Sequence, residues 1–189
     1  MVRTVGDGRY VYLKHYMPHK IYGQHVAYMF ETPTTRVWKR LYDEGKLKPP
    51  MTYFWQTKPA EELYDLQNDP DEVDNLADSP QHQEVLARMR AAHRDWVFRI
   101  RDLGFLPEGE IHGRDPSATP YEMGHDPAKY PLEKIFAAAQ AASSLKESDL
   151  ARLFEALGDD DSAVRYWGAT GLLIRQSAGV AAGRNALHK

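Results

Sequence analysis

Between Gly104 and Pro131, nine of 28 residues are glycine or proline. Glycine loses the most backbone freedom on ordering and proline removes a backbone donor, so a run this dense holds neither a long helix nor a central strand. It therefore partitions the 189-residue chain. We expect a first domain over 1–112, a Gly/Pro-rich linker over 113–131 and an all-α segment over 132–189.

The first part reads as α+β. Val2-Arg3-Thr4-Val5 and the aromatic, β-branched run from Arg9 to His15 flank Asp7-Gly8, a pair that supplies the positive φ a tight hairpin needs. Tyr10, Tyr12 and Lys14 share one face by strand alternation, Val11 and Leu13 the other, which predicts cover on both sides. Thr32-Pro33 opens a helix carrying Val37, Trp38, Leu41 and Tyr42 on one stripe, closed by Gly45. Glu62 to Leu66 alternates like a short strand and breaks at Asn68-Asp69-Pro70. After Ser79-Pro80, Val85, Leu86, Met89, Trp96, Val97 and Ile100 mark a long amphipathic helix. His93 falls on its apolar face with no partner at ligand spacing, which reads as a packed histidine.

The tail has helical periodicity throughout. Leu132, Ile135, Phe136 and Ala139 form one stripe, and Leu150, Leu153, Phe154 and Leu157 a second. Asp159-Asp160-Asp161 turns the chain, and Asp161 or Ser162 is placed to cap a third helix running through Ile174. This pattern is similar to a HEAT repeat. Ala178 to Leu187 is expected to begin another unit, since stacked repeats need about three neighbours to bury a continuous core.

Composition narrows the chemistry. The chain has no cysteine, which excludes disulfides, thiolate metal sites and cysteine nucleophiles. A formal charge of −3 argues against a dedicated nucleic-acid binder, no window is apolar enough for a membrane span, and Met1 to Thr4 leads into a polar turn without a signal-peptide core. The charge is unevenly spread: residues 1–50 hold nine Lys/Arg and four Asp/Glu, whereas 59–78 hold eight acidic groups and no basic one. The basic segment is expected to edge a site for an anionic substrate. No Gly-x-Ser-x-Gly elbow, His-Glu-x-x-His helix or phosphate-binding loop occurs. Asp69-x-Asp71-x-x-Asp74 lacks the glycine and terminal glutamate of a calcium loop.

The segment from Lys58 to Ala77 nevertheless resembles the carboxy-terminal signature of the sulfatase family. A Glu62-Leu63-Tyr64-Asp65-Leu66 strand, an Asp69-Pro70-Asp71-Glu72 turn, an Asn75-Leu76 pair and a long helix follow in order. Arg3-Thr4 and Arg9-Tyr10 with Tyr12 match the family's preceding hairpin. Met17-Pro18, Thr32-Pro33-Thr34 and the Trp38 helix are most similar to the heparan N-sulfatase-like branch. The resemblance covers about residues 2–110. It implies an alkaline-phosphatase-like hydrolase of sulfuric esters or sulfamates, whose smaller carboxy-terminal subdomain is a short antiparallel sheet flanked by a long helix.

The family's nucleophile is a formylglycine made within Cys/Ser-x-Pro-x-Arg, and its metal is calcium. This sequence has no such motif, so no catalytic residue and no metal ligand is assigned here. Calcium and formylglycine are expected in a missing catalytic domain, and the chain reads as the carboxy-terminal fragment of a longer enzyme, with Met1 internal or a split-gene start. Relatives are often periplasmic or secreted. On the loop after the hairpin, His19, Tyr22 and His25 are expected to meet a sulfated sugar or another sulfate ester. The alternative is a non-catalytic interaction module whose HEAT-like tail binds a protein partner.

Overall fold

The computed structural model describes residues 1–176 and Gly179. The repeat expected from Ala178 to Leu187 lies outside the described residues, Gly179 apart. Strands β1 (Val2–Gly6), β2 (Tyr10–His15) and β3 (Glu61–Asp65) form a three-stranded antiparallel sheet with β2 central. The hairpin turns where Gly8 takes φ +94° and Asp7 Oδ1 accepts from the backbone N–H groups of Arg9 and Tyr10 at 2.9 and 2.7 Å. Register pairs Val5 with Tyr12 and Tyr12 with Leu63, so one face gathers the large apolar side chains.

That face packs on α2 (Gln83–Ile100), whose buried residues Leu86, Met89, His93 and Val97 recur at helical spacing. Tyr12, Leu63, Leu86 and Met89 close a first, small core. On the other face Val11 and Leu13 are only half-buried. Ser79-Pro80 does not begin α2 directly: Pro80–His82 form a separate 3-10 turn first. The helix α1 (Pro33–Asp43) follows a 3-10 turn at Ala27–Glu31 and ends against Gly45 at φ +67°. It is amphipathic, yet none of its residues is fully buried.

A second, larger core begins at Tyr16, just past β2, and runs through Val97, Phe105 and Leu106 into the helical tail. The Gly/Pro-rich stretch lies along it. Helix α3 (Glu108–Gly113) and α4 (Pro120–His125) are one- to two-turn pieces, α4 starting at proline behind a Thr119–Glu122 capping box. Met123 and Tyr130 from this stretch are buried in the same cluster as α5 (Leu132–Ser143), α6 (Leu150–Leu157) and α7 (Ser162–Ile174). Asp161 caps α7, accepting from Ala163 and Val164 N–H at 2.8 and 3.2 Å, while Arg114 grips the same carboxylate with two 2.8 Å hydrogen bonds. Among the described residues no helix is long and apolar enough to cross a membrane.

Helix α7 lies against both α5 and α6. Its Gly168 and Gly171 make that possible: a Cβ on Gly171 would stand 2.6 Å from Leu153 Cδ2 and 2.9 Å from Ala142 Cα. Gly171→Ala is therefore expected to overpack the bundle and cost about 1–3 kcal/mol. Urea denaturation measures it, and an unchanged midpoint would mean that α7 backs away freely.

The basic and acidic segments touch where Arg9, just before β2, meets Asp65 of β3. Arg9 binds both oxygens of Asp65 at 3.0 and 2.6 Å, Arg88 binds Asp7 at 2.5 Å, and Arg90 closes on Glu61. The Arg88 and Arg90 pairs tie α2 to the hairpin turn and to β3.

Candidate functional site

Asn75, Asp69 and Asp65 of the Lys58–Ala77 signature shape the turn after β3. Asn75 ties β3 to its following turn: its Oδ1 accepts from Leu63 and Ala77 N–H, both at 3.0 Å, and its Nδ2 donates to the Glu61 carbonyl at 3.1 Å. Asp69 Oδ2 accepts from Val73 and Asp74 N–H at 2.8 Å each, as an Asp at the start of a turn commonly does. Asp65 accepts from Asn68 at 2.8 Å as well as from Arg9. Among the described residues no three His, Asp or Glu side chains lie together as a metal-holding group.

Glu62, also in the signature, points to the half-covered face. Register pairs it with Leu13, so His15, two residues along β2, is its diagonal neighbour on the same face. His15 Nε2 donates to Glu62 Oε2 at 2.8 Å, with both side chains almost wholly buried. The loop after β2 folds back over this pair. Its path is held by an Ile21–Thr57 bridge, by Tyr22 N–H to the Gln56 carbonyl at 3.2 Å and by Gly23 N–H to the Phe54 carbonyl at 2.7 Å. Lys58 Nζ donates to the Lys20 and Ile21 carbonyls at 2.6 and 2.8 Å. Only glycine fits at position 23, because a Cβ there would collide with the Phe54 ring.

So held, Tyr22 sets its ring edge-on to His15 at 5.8 Å and donates its hydroxyl to Glu62 Oε1. Burial alone would raise the Glu62 pKa, but the hydrogen bonds from His15 and Tyr22 outweigh it and the carboxyl is held below its ordinary value. Burial and the adjacent carboxylate together push the Tyr22 phenol up, so it stays a donor. Tyr22 and Glu62 border an open cavity of about 370 Å³ that also includes Tyr53, Gln56, Tyr64 and Asn75. Its lining offers hydroxyls, amides and carboxylates and no Lys, Arg or His. Such a wall suits a polyol better than an anion.

Of the three residues singled out from the sequence, Tyr22 lines this cavity and the two histidines do not. His19 is half-buried, and its Nδ1 has no partner among the described residues. Burial, reinforced by the positive charges of Lys20, Lys58 and the amino terminus, lowers its pKa and keeps it neutral at pH 7. His25 is exposed and stacks on Phe30, with ring centroids 4.9 Å apart. In the sequence neither Glu62 nor His15 stands out as a site residue. Strand alternation carried the signal, once the β2–β3 register is known.

Over 112 residues the chain is 38% identical to an ulvan-active sulfatase from Formosa agariphila. The match covers 59% of this chain and 19% of that protein, so the chain spans about a fifth of the length of the curated relative it matches. No family model and no solved structure matches it.

Proposed function

We propose that this chain is the carboxy-terminal portion of a sulfatase-like hydrolase and that it supports catalysis carried by another part of the protein. The 38% identity to a sulfatase over 112 residues is the observation that carries this reading. The roles of Asp65, Asp69 and Asn75 in shaping the turn after β3 support it, because they give the family-like signature a structural purpose. So does α1, an amphipathic helix with no fully buried residue, whose apolar stripe suits a further packing partner such as the catalytic domain. The substrate class is a sulfuric ester or sulfamate, with calcium and formylglycine belonging to the catalytic portion.

Finer assignments rest on the motifs alone. The alkaline-phosphatase-like architecture and the heparan N-sulfatase-like branch follow from the resemblance. The α6–Asp161–α7 turn supports a HEAT-like reading of the tail. Tyr22, with His19 and His25 on the same loop, is assigned to the rim of the substrate site, where its cavity suits a sugar's hydroxyls rather than its sulfate.

The reading is tested in two steps. In-frame sequence upstream of the gene segment is expected to encode Cys/Ser-x-Pro-x-Arg. The chain alone is expected to give no aryl sulfate turnover above background, and the extended protein to give robust turnover. Turnover by the isolated chain, or an unrelated gene upstream, overturns the proposal.

A further inference from the structure

Lys14 occupies an unusual place. Its side chain is 4% exposed, at the floor of a cleft of about 570 Å³ between β2, α2, α5 and the start of α6. An ammonium has three protons to donate. Among the described residues, Lys14 Nζ has no hydrogen-bond acceptor. The carboxylate oxygen beside it, Glu61 Oε1, stands 4.0 Å away and already accepts from Tyr12 and Arg90. That long ion pair, with the Tyr16 ring centroid 5.9 Å from Nζ, is a weak partnership for so buried a charge.

The cleft offers the opposite. Arg90, Arg94, Lys146 and Arg152 join Lys14 in its lining, five cationic side chains against the carboxylates of Glu61 and Asp149. Glu61 is engaged by Arg90, and Asp149 lies 3.2 Å from Arg152. Lys146, at the exposed mouth, makes no ion pair among the described residues. Burial, partly offset by Glu61 and reinforced by Arg90 and Lys146, brings the Lys14 pKa to about 8, so the group still carries its charge at pH 7. The α5 wall is mostly apolar, Phe136, Ala137 and Ala141, with Gln140 and Ser144 beside them. A space of this size falls within the roughly 300–1,000 Å³ of small-molecule sites, far beyond a lone ion.

We propose that this cleft binds a small organic oxyanion, a sulfate, phosphate or carboxylate carried on one or two rings. Lys14 donates to the anionic group at the floor, Lys146 and Arg152 meet it from the mouth, and the ring rests on the α5 wall. The site lies on the α2 side of the sheet, away from Tyr22 and Glu62, and does not depend on the sulfatase-like reading.

Isothermal titration of the full chain at low ionic strength tests this, with glucose 6-sulfate, glucuronate, inorganic sulfate and glucose as probes. The charged sugars are expected to bind and glucose not. Lys14→Met keeps the aliphatic stem and removes the charge; it is expected to weaken binding about ten-fold or more, as loss of a charge-assisted hydrogen bond does. Its melting temperature should change little, because the charge that goes is buried and held only by the 4.0 Å contact with Glu61. Lys146→Ala, at an exposed position, should weaken binding a few-fold. It decides the matter if Lys14→Met fails to fold. Inorganic sulfate binding as tightly as the sugar ester identifies the free ion as the ligand and overturns the ring-bearing part of the proposal. No binding by any anion, or binding indifferent to both substitutions, overturns the site.

Discussion

Trp167→Ala is expected to remove about 3–5 kcal/mol of folding stability, a large share of the roughly 5–15 kcal/mol available to a natural domain. The Trp167 side chain, 1% exposed, is the largest in the second core. It projects from α7 toward two distant segments. Its indole N–H donates to the Phe105 carbonyl at 2.8 Å, and its ring meets Tyr16 edge-on with centroids 6.1 Å apart. Tyr16 directly follows β2, and its backbone N–H is bound to the Met1 carbonyl at 3.0 Å. One side chain thus couples the helical tail to the sheet and to the Gly/Pro-rich stretch. Truncation leaves a cavity among Tyr16, Phe105 and α7 and strands the Phe105 carbonyl.

Trp167→Phe separates the two losses: most of the volume stays, the donor goes, and about 1–3 kcal/mol is expected for the unsatisfied acceptor. Urea denaturation followed by far-ultraviolet circular dichroism measures both. The same core predicts a single cooperative transition in the parent chain. Two transitions, or a Trp167→Ala cost below about 1 kcal/mol, would show that the tail folds apart from the sheet, since surface-like positions cost that little.

Local signals carried through to the structure. Asp7-Gly8 makes the hairpin turn because the glycine is needed at positive φ, and the 3-4 spacing along Leu86, Met89, His93 and Val97 is the buried stripe of α2. Asp161 caps α7 as its position suggested. His93 is packed, in edge and tilted contact with Tyr12, Tyr16 and Phe136.

What stayed hidden depends on contacts distant in the chain. Gly and Pro density marks where 113–131 changes direction, but not that Met123 and Tyr130 between those breaks are buried. Helix α2 stops at Arg101, which adopts φ 54° where glycine is usual; its guanidinium holds the Gly124 and Tyr130 carbonyls at 2.7 and 2.8 Å. Nothing local distinguishes that arginine from its neighbours. The candidate site was half legible. Tyr22 stood out on its loop, whereas Glu62 looked like one more charge in an acidic run until β3 paired with β2. Lys14 was assigned its face by alternation, but the helices that enclose it come from far along the chain.

Glu62→Ala is expected to cost about 3–5 kcal/mol, because removing one member of a buried pair leaves the other without a partner. His15 Nε2 and the Tyr22 hydroxyl both lose their acceptor, and the loop that Tyr22 anchors loses its hold on the sheet. Glu62→Gln keeps one acceptor oxygen and should cost less, about 1–3 kcal/mol. Titration tells these losses from simple packing. The folded Glu62 carboxyl sits below its ordinary 4.5, since its hydrogen bonds with His15 and Tyr22 overcome the upward push of burial.

A depressed carboxyl contributes stability that is complete above the unfolded value and lost as pH falls through the folded one. The gap between the parent chain and Glu62→Gln should therefore be constant from neutrality to about pH 5 and narrow below 4.5. His93 adds a separate acid sensitivity. Burial lowers it from 6.5 to about 4, so the unfolded chain takes up a proton between those values while the folded one does not. That loss, about 3 kcal/mol, falls equally on both proteins and cancels in their difference. A gap that persists unchanged into the acid range would mean that Glu62 is not held as an anion, and that Tyr22 is fixed over the sheet by its backbone bridge to Gln56 and not by the carboxylate beneath it.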